Sequence, residues 1–375
     1  MIKACQELGA KIEVLEDKLK IIGVSGKLKL PSNVIDAGNS GQVLRFVGAI
    51  AGLIDGYTVL TGDKSVRFNR PLKPLTDGLQ NLGATCISTK GDGYAPIIIK
   101  GPITPGITTF DGADSQPVSA ILIAAAFLNG MTKIKVNNPG EKPWIGVTLA
   151  WLDKFNIKYT NDNFENYTIF GPNAIQAFNY EVPGDFSSIA FPLVAAIVTR
   201  SKLTIKNLDM QDAQGDKILI QALSKMGADI KIQQNSLEVC GKSELNGAEI
   251  DINNFIDALP ILAVLGCYAK GTTKLINAGI ARCKESDRLA AITTELRKMG
   301  AIIEEDATSL TIKNSKLIAA DLDSHSDHRI AMALAVASLG VEDFSKINNI
   351  NCISKSYPSF LNDMQNIGAA IEVLE

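Results

Sequence analysis

One short phrase recurs along the whole chain: an amphipathic helix closing on an apolar residue, then Gly-Ala, then a strand. It reads QELGAKIEV at Gly9, LQNLGATCI at Gly83, LSKMGADIKI at Gly227, LRKMGAIIEE at Gly300 and MQNIGAAIEVL at Gly368, with a weaker copy, LDKFNIKYT, carrying Asn156 in the glycine's place. A spacing of roughly 70 residues held through six copies marks one supersecondary unit repeated, and it restricts the fold more than any other feature of the sequence. Each glycine stands where a helix must stop, and it accepts the left-handed cap conformation without a side-chain clash. The runs that follow, such as KIEVLEDKLKIIG, alternate around polar turn residues, so each unit closes with a helix and a hairpin.

A second helix type lies between the hairpins, opening on a small or acidic cap candidate and running into an apolar stretch. Its copies are NSGQVLRFVGAIAGL, DSQPVSAILIAAAFL, DFSSIAFPLVAAIV, DALPILAVLGCYA and DHRIAMALAVASLG. Helices apolar on most faces are buried. The first unit lacks its copy, because the chain opens directly on that unit's closing helix. These patterns predict an α/β protein of two similar domains, 1–183 and 184–375, each of three βαβαββ units with the first incomplete. A ligand is expected between the halves. Helix N-termini aligned by the repeat would offer free N–H groups and positive dipole to an anion, so a substrate carrying phosphate and carboxylate is favoured.

The bulk numbers fit two cores: 375 residues, 46% hydrophobic and 21% charged, exceed what one core holds. A net charge of −3 supplies no broad cationic field; nucleic acid is therefore excluded as a partner, and any anion must be met by clustered Lys and Arg. The six cysteines contain no CxxC pair, which fits reduced thiols in a cytosol. No apolar run reaches the length of a spanning helix and the start does not read as a signal peptide, so a cytoplasmic monomer with no membrane contact is expected.

Three clusters carry chemistry. Arg282-Cys283-Lys284-Glu285-Ser286-Asp287-Arg288 leads into a helix, and a helical spacing would project Lys284 and Arg288 together with Glu285 beside them for proton transfer; a solvated charge run is the alternative. Ser326-Asp327-His328-Arg329 stands at the mouth of a buried helix, where charges must pair or face a ligand. His325 and His328 have a spacing open to a metal, but the chain has only these two histidines, and no metal is expected. The small residues of Asp36-Ala37-Gly38-Asn39-Ser40-Gly41-Gln42 would let backbone N–H groups approach an anion, or form a plain turn and cap.

Taken in order, GNSGQVLR at Gly38, LTGDKSVRFNRPLKPLTDGLQNLGA at Leu60, DSQPVSAIL at Asp114, EVPGDFSSIAFPL at Glu181, IDALPILA at Ile256, KESDRL at Lys284, DHRIAMALA at Asp327 and SKSYPSF at Ser354 resemble the family of 5-enolpyruvylshikimate-3-phosphate synthases. The resemblance implies the enolpyruvyl transferase fold, an inside-out α/β barrel in each domain. It also implies transfer of the enolpyruvyl group of phosphoenolpyruvate to the 5-hydroxyl of shikimate 3-phosphate, with no metal or organic cofactor. Carried over by position, Arg70, Arg288, Arg329, Lys284 and Lys355 hold phosphoenolpyruvate, whose oxyanions suit the planar arginine fork, and Gly41 offers it a backbone contact. Ser115, Gln116, Trp144 and His328 join the substrate-binding set. Asp257 and Glu285 are the proton-transfer candidates with Lys284 beside them, and Asp257 can also cap its helix. The chain departs from the family in lacking its Gly-Ser-Lys-Ser segment and in reading Asp114 and Glu141 where the family has serines. Ile280 and Gln42 stand in for an expected Asn and Thr. Two acids near an expected phosphate would repel it unless Lys142 or another cation neutralises them, which is expected to weaken recognition of the acceptor's 3-phosphate, and the missing segment is expected to impair turnover. The sister transferase acting on UDP-N-acetylglucosamine, and a non-catalytic relative, are the alternatives.

Overall fold

A computed structural model describes residues 1–374. The chain divides into two compact units, Met1–Tyr180 and a second beginning at Glu181, each with its own apolar core. Tyr180 stays with the first unit because its ring packs on Trp151 at 4.8 Å between centroids and lies 3.8 Å from the Lys154 ammonium.

Three stretches build a complete βαβαββ unit: Ile35–Lys100, Ile107–Gly171 and Glu249–Lys313. Their four-stranded sheets share one order, in which the first strand pairs parallel with the second, the second antiparallel with the fourth, and the fourth antiparallel with the third. A parallel pair needs a crossover, and the buried helix of each unit supplies it. The closing turns behave as the repeat requires. Gly9, Gly83, Gly227, Gly300 and Gly368 have φ of +104°, +103°, +97°, +86° and +98°, and Asn156, the exception in sequence, still adopts +55°. Asparagine is the side chain that best tolerates this region.

The expected regularity fails at two copies. The stretch before the helix Phe186–Val198 forms no strand, leaving a three-stranded sheet of Lys202–Lys206, Ser236–Cys240 and Asp229–Gln233. Pro183 has no N–H to give a ladder, and the Gly184 N–H is spent on the Asn207 carbonyl at 2.7 Å. In the last copy Asp321–Asp323 pairs with Lys346–Asn348 and the helix Phe360–Asn366 follows, but no strand forms after Gly368 among the described residues.

The helices Ser115–Ala125, Phe186–Val198, Leu259–Tyr268 and His328–Ser338 are buried along nearly their whole length. Three have acidic caps whose carboxylates accept a first-turn N–H: Asp114 from Gln116 at 3.0 Å, Asp185 from Ser187 at 2.9 Å and Asp327 from Arg329 at 2.9 Å. The first buried helix begins with a π-wound stretch, Val43–Val47, and continues as Gly48–Ala51; such wider turns recur at functional sites. No helix among the described residues is long and apolar enough to cross a membrane.

Candidate active site

In the second unit three carboxylates converge on one guanidinium. Arg288, with only 1% of its side chain exposed, donates from Nε to Asp327 at 2.8 Å, from Nη1 to Asp257 at 2.7 Å and from Nη2 to Glu285 at 2.6 Å. Arg329 donates from Nη2 to the other Asp257 oxygen at 2.9 Å and to the Ser187 hydroxyl at 3.0 Å. Asp257 therefore bridges two arginines. Burial works to raise its pKa, but Arg329, Arg288 and Lys284 outweigh burial and hold the carboxyl well below the usual range. Burial works against the charge of Arg288 too, yet Asp327, Glu285 and Asp257 keep it firmly protonated. The cluster is a preorganised set of charges in a low-dielectric setting, where each is worth more than in water.

Local structure explains why these groups meet. The strand-to-helix segment at Asp257 is a 3₁₀ turn, Asn253–Ala258, broken at Phe255 by φ −146° and ψ 50°. Ala258, and not Asp257, precedes the helix, and it makes no side-chain cap. The expectation that Asp257 caps this helix is corrected: the kink leaves its carboxylate for the two arginines. Lys284 and Arg288 do not share a helix turn either. Lys284 ends the 3₁₀ turn Gly279–Cys283 in an extended conformation, and Asp287 caps the helix Arg288–Lys298 by accepting the Ala290 N–H at 3.1 Å. Lys284 still lies close enough to act on Asp257.

Asp327 combines two roles. It caps the helix His328–Ser338 and takes hydrogen bonds from Arg288 Nε and, at 3.1 Å, from the Ser286 hydroxyl. Just before it His325 and Ser326 both lie in the left-handed region, with φ of 51° and 56°. Such strain on non-glycine residues is kept only where the surroundings fix it. The Ser324 hydroxyl accepts the Ser326 N–H at 3.1 Å and Lys355 donates to the Ser326 carbonyl at 3.2 Å. His325 and His328 point into different networks. His325 Nε2 lies 2.8 Å from Glu295, whereas His328 is buried beside Arg329 and Asp327. Burial first, then Arg329, pushes the His328 pKa down to about 4, so this ring is neutral at physiological pH.

The first unit has a smaller counterpart around Arg45, whose side chain is 1% exposed. It donates from Nη1 to Gln116 Oε1 at 3.0 Å and from Nη2 to the Pro71 carbonyl at 3.2 Å and to Asp114 at 2.9 Å. Arg70 is buried beside it. Gly41 is required here: a Cβ would fall 2.7 Å from Arg45 Nη1 and 3.1 Å from Gln116 Oε1. Gly41→Ala is expected to lower kcat/KM on the order of 10–100-fold by displacing these groups, as small misplacements in a binding site do, while the melting temperature stays close to that of the parent chain; steady-state kinetics and a thermal melt check both halves.

The two acids flagged in the sequence are satisfied within the unit. Asp114 is neutralised by Arg45, not by Lys142. Glu141, itself left-handed at φ 46°, accepts from both the backbone N–H of Ser115 at 3.1 Å and its hydroxyl at 2.9 Å. Trp144 sits half-buried on the helix that follows. Sequence reasoning passed over Arg45 as a site residue, although one cation inside an apolar helix run must find a partner.

A family model described as EPSP synthase (3-phosphoshikimate 1-carboxyvinyltransferase) matches residues 1–364. The chain is similar to the 3-phosphoshikimate 1-carboxyvinyltransferase of Acetivibrio thermocellus, 41% identical over all of this chain and 88% of that one. It is also similar to that of Chlamydia caviae, 42% identical over 99% of this chain and 83% of that one. Among solved structures, EPSP synthase from Acinetobacter baumannii superposes with a TM-score of 0.82 at 26% identity, covering the whole of this chain and 88% of that chain. The enolpyruvyl transferase NikO from Streptomyces tendae shares the fold, with a TM-score of 0.69 at 17% identity over 91% of this chain and 96% of that one.

Proposed function

We propose a reaction from one established fact: the chain belongs to the EPSP synthase family, transferases of the shikimate pathway. It moves the enolpyruvyl group of phosphoenolpyruvate onto the 5-hydroxyl of shikimate 3-phosphate and releases phosphate. The observation that supports this most is Arg288 holding Asp327, Asp257 and Glu285 on one fork while Arg329 shares Asp257.

An addition followed by an elimination needs groups that give and take protons at two positions. The acceptor oxygen loses its proton and bonds to C2, and the C2=C3 electron pair takes a proton at C3. The C2–O bond to phosphate then breaks as a C3 proton leaves. At rest Arg329, Arg288 and Lys284 keep Asp257 ionised and weakly basic. An incoming carboxylate or phosphate that takes over an Nη of Arg288 or Arg329 frees Glu285 or Asp257, whose basicity rises as its cation is shared. Substrate binding thereby switches on the bases. Lys284 and Lys355 add cationic charge in the second unit; Arg70 and Gly41 are the first unit's candidates for an anion.

A second reading, an acceptor without a phosphate, is favoured by Asp114 and Glu141, which spend the N–H groups of Gln116 and Ser115 at the start of Ser115–Ala125. Those donors are the ones a phosphate would use. Phosphate release measured with phosphoenolpyruvate and either shikimate 3-phosphate, shikimate or UDP-N-acetylglucosamine separates the cases. Release with the first alone supports the main reading. Release with shikimate alone supports the second, and release only with the nucleotide sugar identifies the sister activity. Binding without release in any mixture marks a non-catalytic relative.

A further inference from the structure

Asp216 is a buried acid that nothing above uses. It is 2% exposed, and among the described residues neither carboxyl oxygen meets a hydrogen-bond partner in another residue. It lies on the turn Gly215–Lys217, packed against the turn Asn253–Ala258 that carries Asp257 and against the helix Phe186–Val198, whose Ser187 holds Arg329. We propose that Asp216 is a positioning residue kept in its neutral acid form, so that Arg329 is left to Asp257, and that its ionisation withdraws Arg329 and switches the site off.

An ionised carboxylate without donors in such a place is costly, so the proton stays. The charged groups facing Asp216 are Asp257, Arg329 and Asp185. Two of these are acids that disfavour a further negative charge, and the one cation is already committed to Asp257 and Ser187. Lys217, on the same turn, is tied to the carbonyls of Met210 and Asp212 at 3.2 and 2.6 Å, and the helix Ile218–Lys225 brings only Lys225, bound to the Glu249 carbonyl. Burial, with Asp257 next, pushes the Asp216 pKa up to about 8. Once ionised, Asp216 competes for Arg329, and Asp257 loses one of its two guanidinium partners.

The kinetic arm rests on the transferase reading; the physical arm does not. In the first, kcat of the parent chain falls on the alkaline side with a midpoint near pH 8, and Asp216→Asn, which mimics the neutral acid at every pH, abolishes that fall. In the second, melting temperatures are followed against pH. A folded pKa raised above the unfolded value gives stability that is present at low pH and lost as pH rises through the folded pKa. The melting temperature of Asp216→Asn should therefore gain on that of the parent from about pH 4 to about pH 8, and stop gaining above it. The same alkaline limb in both proteins, or a constant difference in melting temperature, overturns the proposal. If the parent shows no turnover, the transferase reading fails and the melting series alone decides this one. If Asp216→Asn does not fold, a ¹³C carboxyl titration of the parent decides: an aspartate midpoint near 8 supports the proposal, and none above about 6 contradicts it.

Discussion

Replacing Arg288 by Met will cost about 3–5 kcal/mol of stability, as removal of one partner from a buried ion cluster does, and will remove measurable turnover. The substitution preserves much of the side chain's volume and takes away only the charge and the fork. Asp327, fully buried, then loses both hydrogen bonds that Arg288 gives it, and Asp257 and Glu285 lose their shared cation. Arg288→Lys should recover little, because a single ammonium cannot serve three carboxylates set around a planar fork. Urea unfolding of both variants measures the stability loss, and a phosphate-release assay the activity. A Met variant as stable as the parent would show that the cluster contributes nothing to the fold.

Asp257→Asn will lower kcat on the order of 10²–10⁴-fold, the range spanned by a positioned acid–base group, while the protein stays folded. The amide keeps the carboxylate's shape, but its nitrogen cannot accept from an arginine, so only one of the two guanidinium bonds survives, and it cannot take a proton from the acceptor hydroxyl. It also leaves two arginines with less negative charge between them. Binding of phosphoenolpyruvate, followed by calorimetry, should therefore survive or tighten as turnover collapses. Loss of binding with an unchanged kcat would show that Asp257 only anchors ligand.

Much of this was readable from residue order because the repeat ties local rules to long-range position. The closing turns at Gly9, Gly83, Gly227, Gly300 and Gly368 needed only the rule that a helix ends most easily on a left-handed glycine, and Asn156 obeys it as well. The acidic caps at Asp114, Asp185 and Asp327 were likewise visible as acids preceding apolar runs. What escaped were features set by tertiary packing. Nothing in NNFIDALP announces that Phe255 kinks the turn and turns Asp257 from a cap into an arginine bridge. The spacing of Lys284 and Arg288 suggested one helix, yet Asp287 captures the helix start and places Lys284 outside it. The repeat pattern led to a strand before Phe186–Val198, and Pro183, which has no N–H for a ladder, stands against one. Asp216 gave no local signal, since its role depends on side chains distant in sequence.

In the proposed reaction a hydroxyl adds across the double bond of phosphoenolpyruvate and phosphate is then eliminated, with a proton gained and lost at C3. Turnover of phosphoenolpyruvate and shikimate 3-phosphate in deuterium oxide tests it most directly. In the tetrahedral intermediate C3 is a methyl group, so elimination can remove an original hydrogen and leave deuterium behind. Mass spectrometry should find deuterium in the enolpyruvyl methylene of the product. Product formed with that methylene wholly protiated, while phosphate is released at a full rate, would rule out addition and elimination through a C3 methyl group.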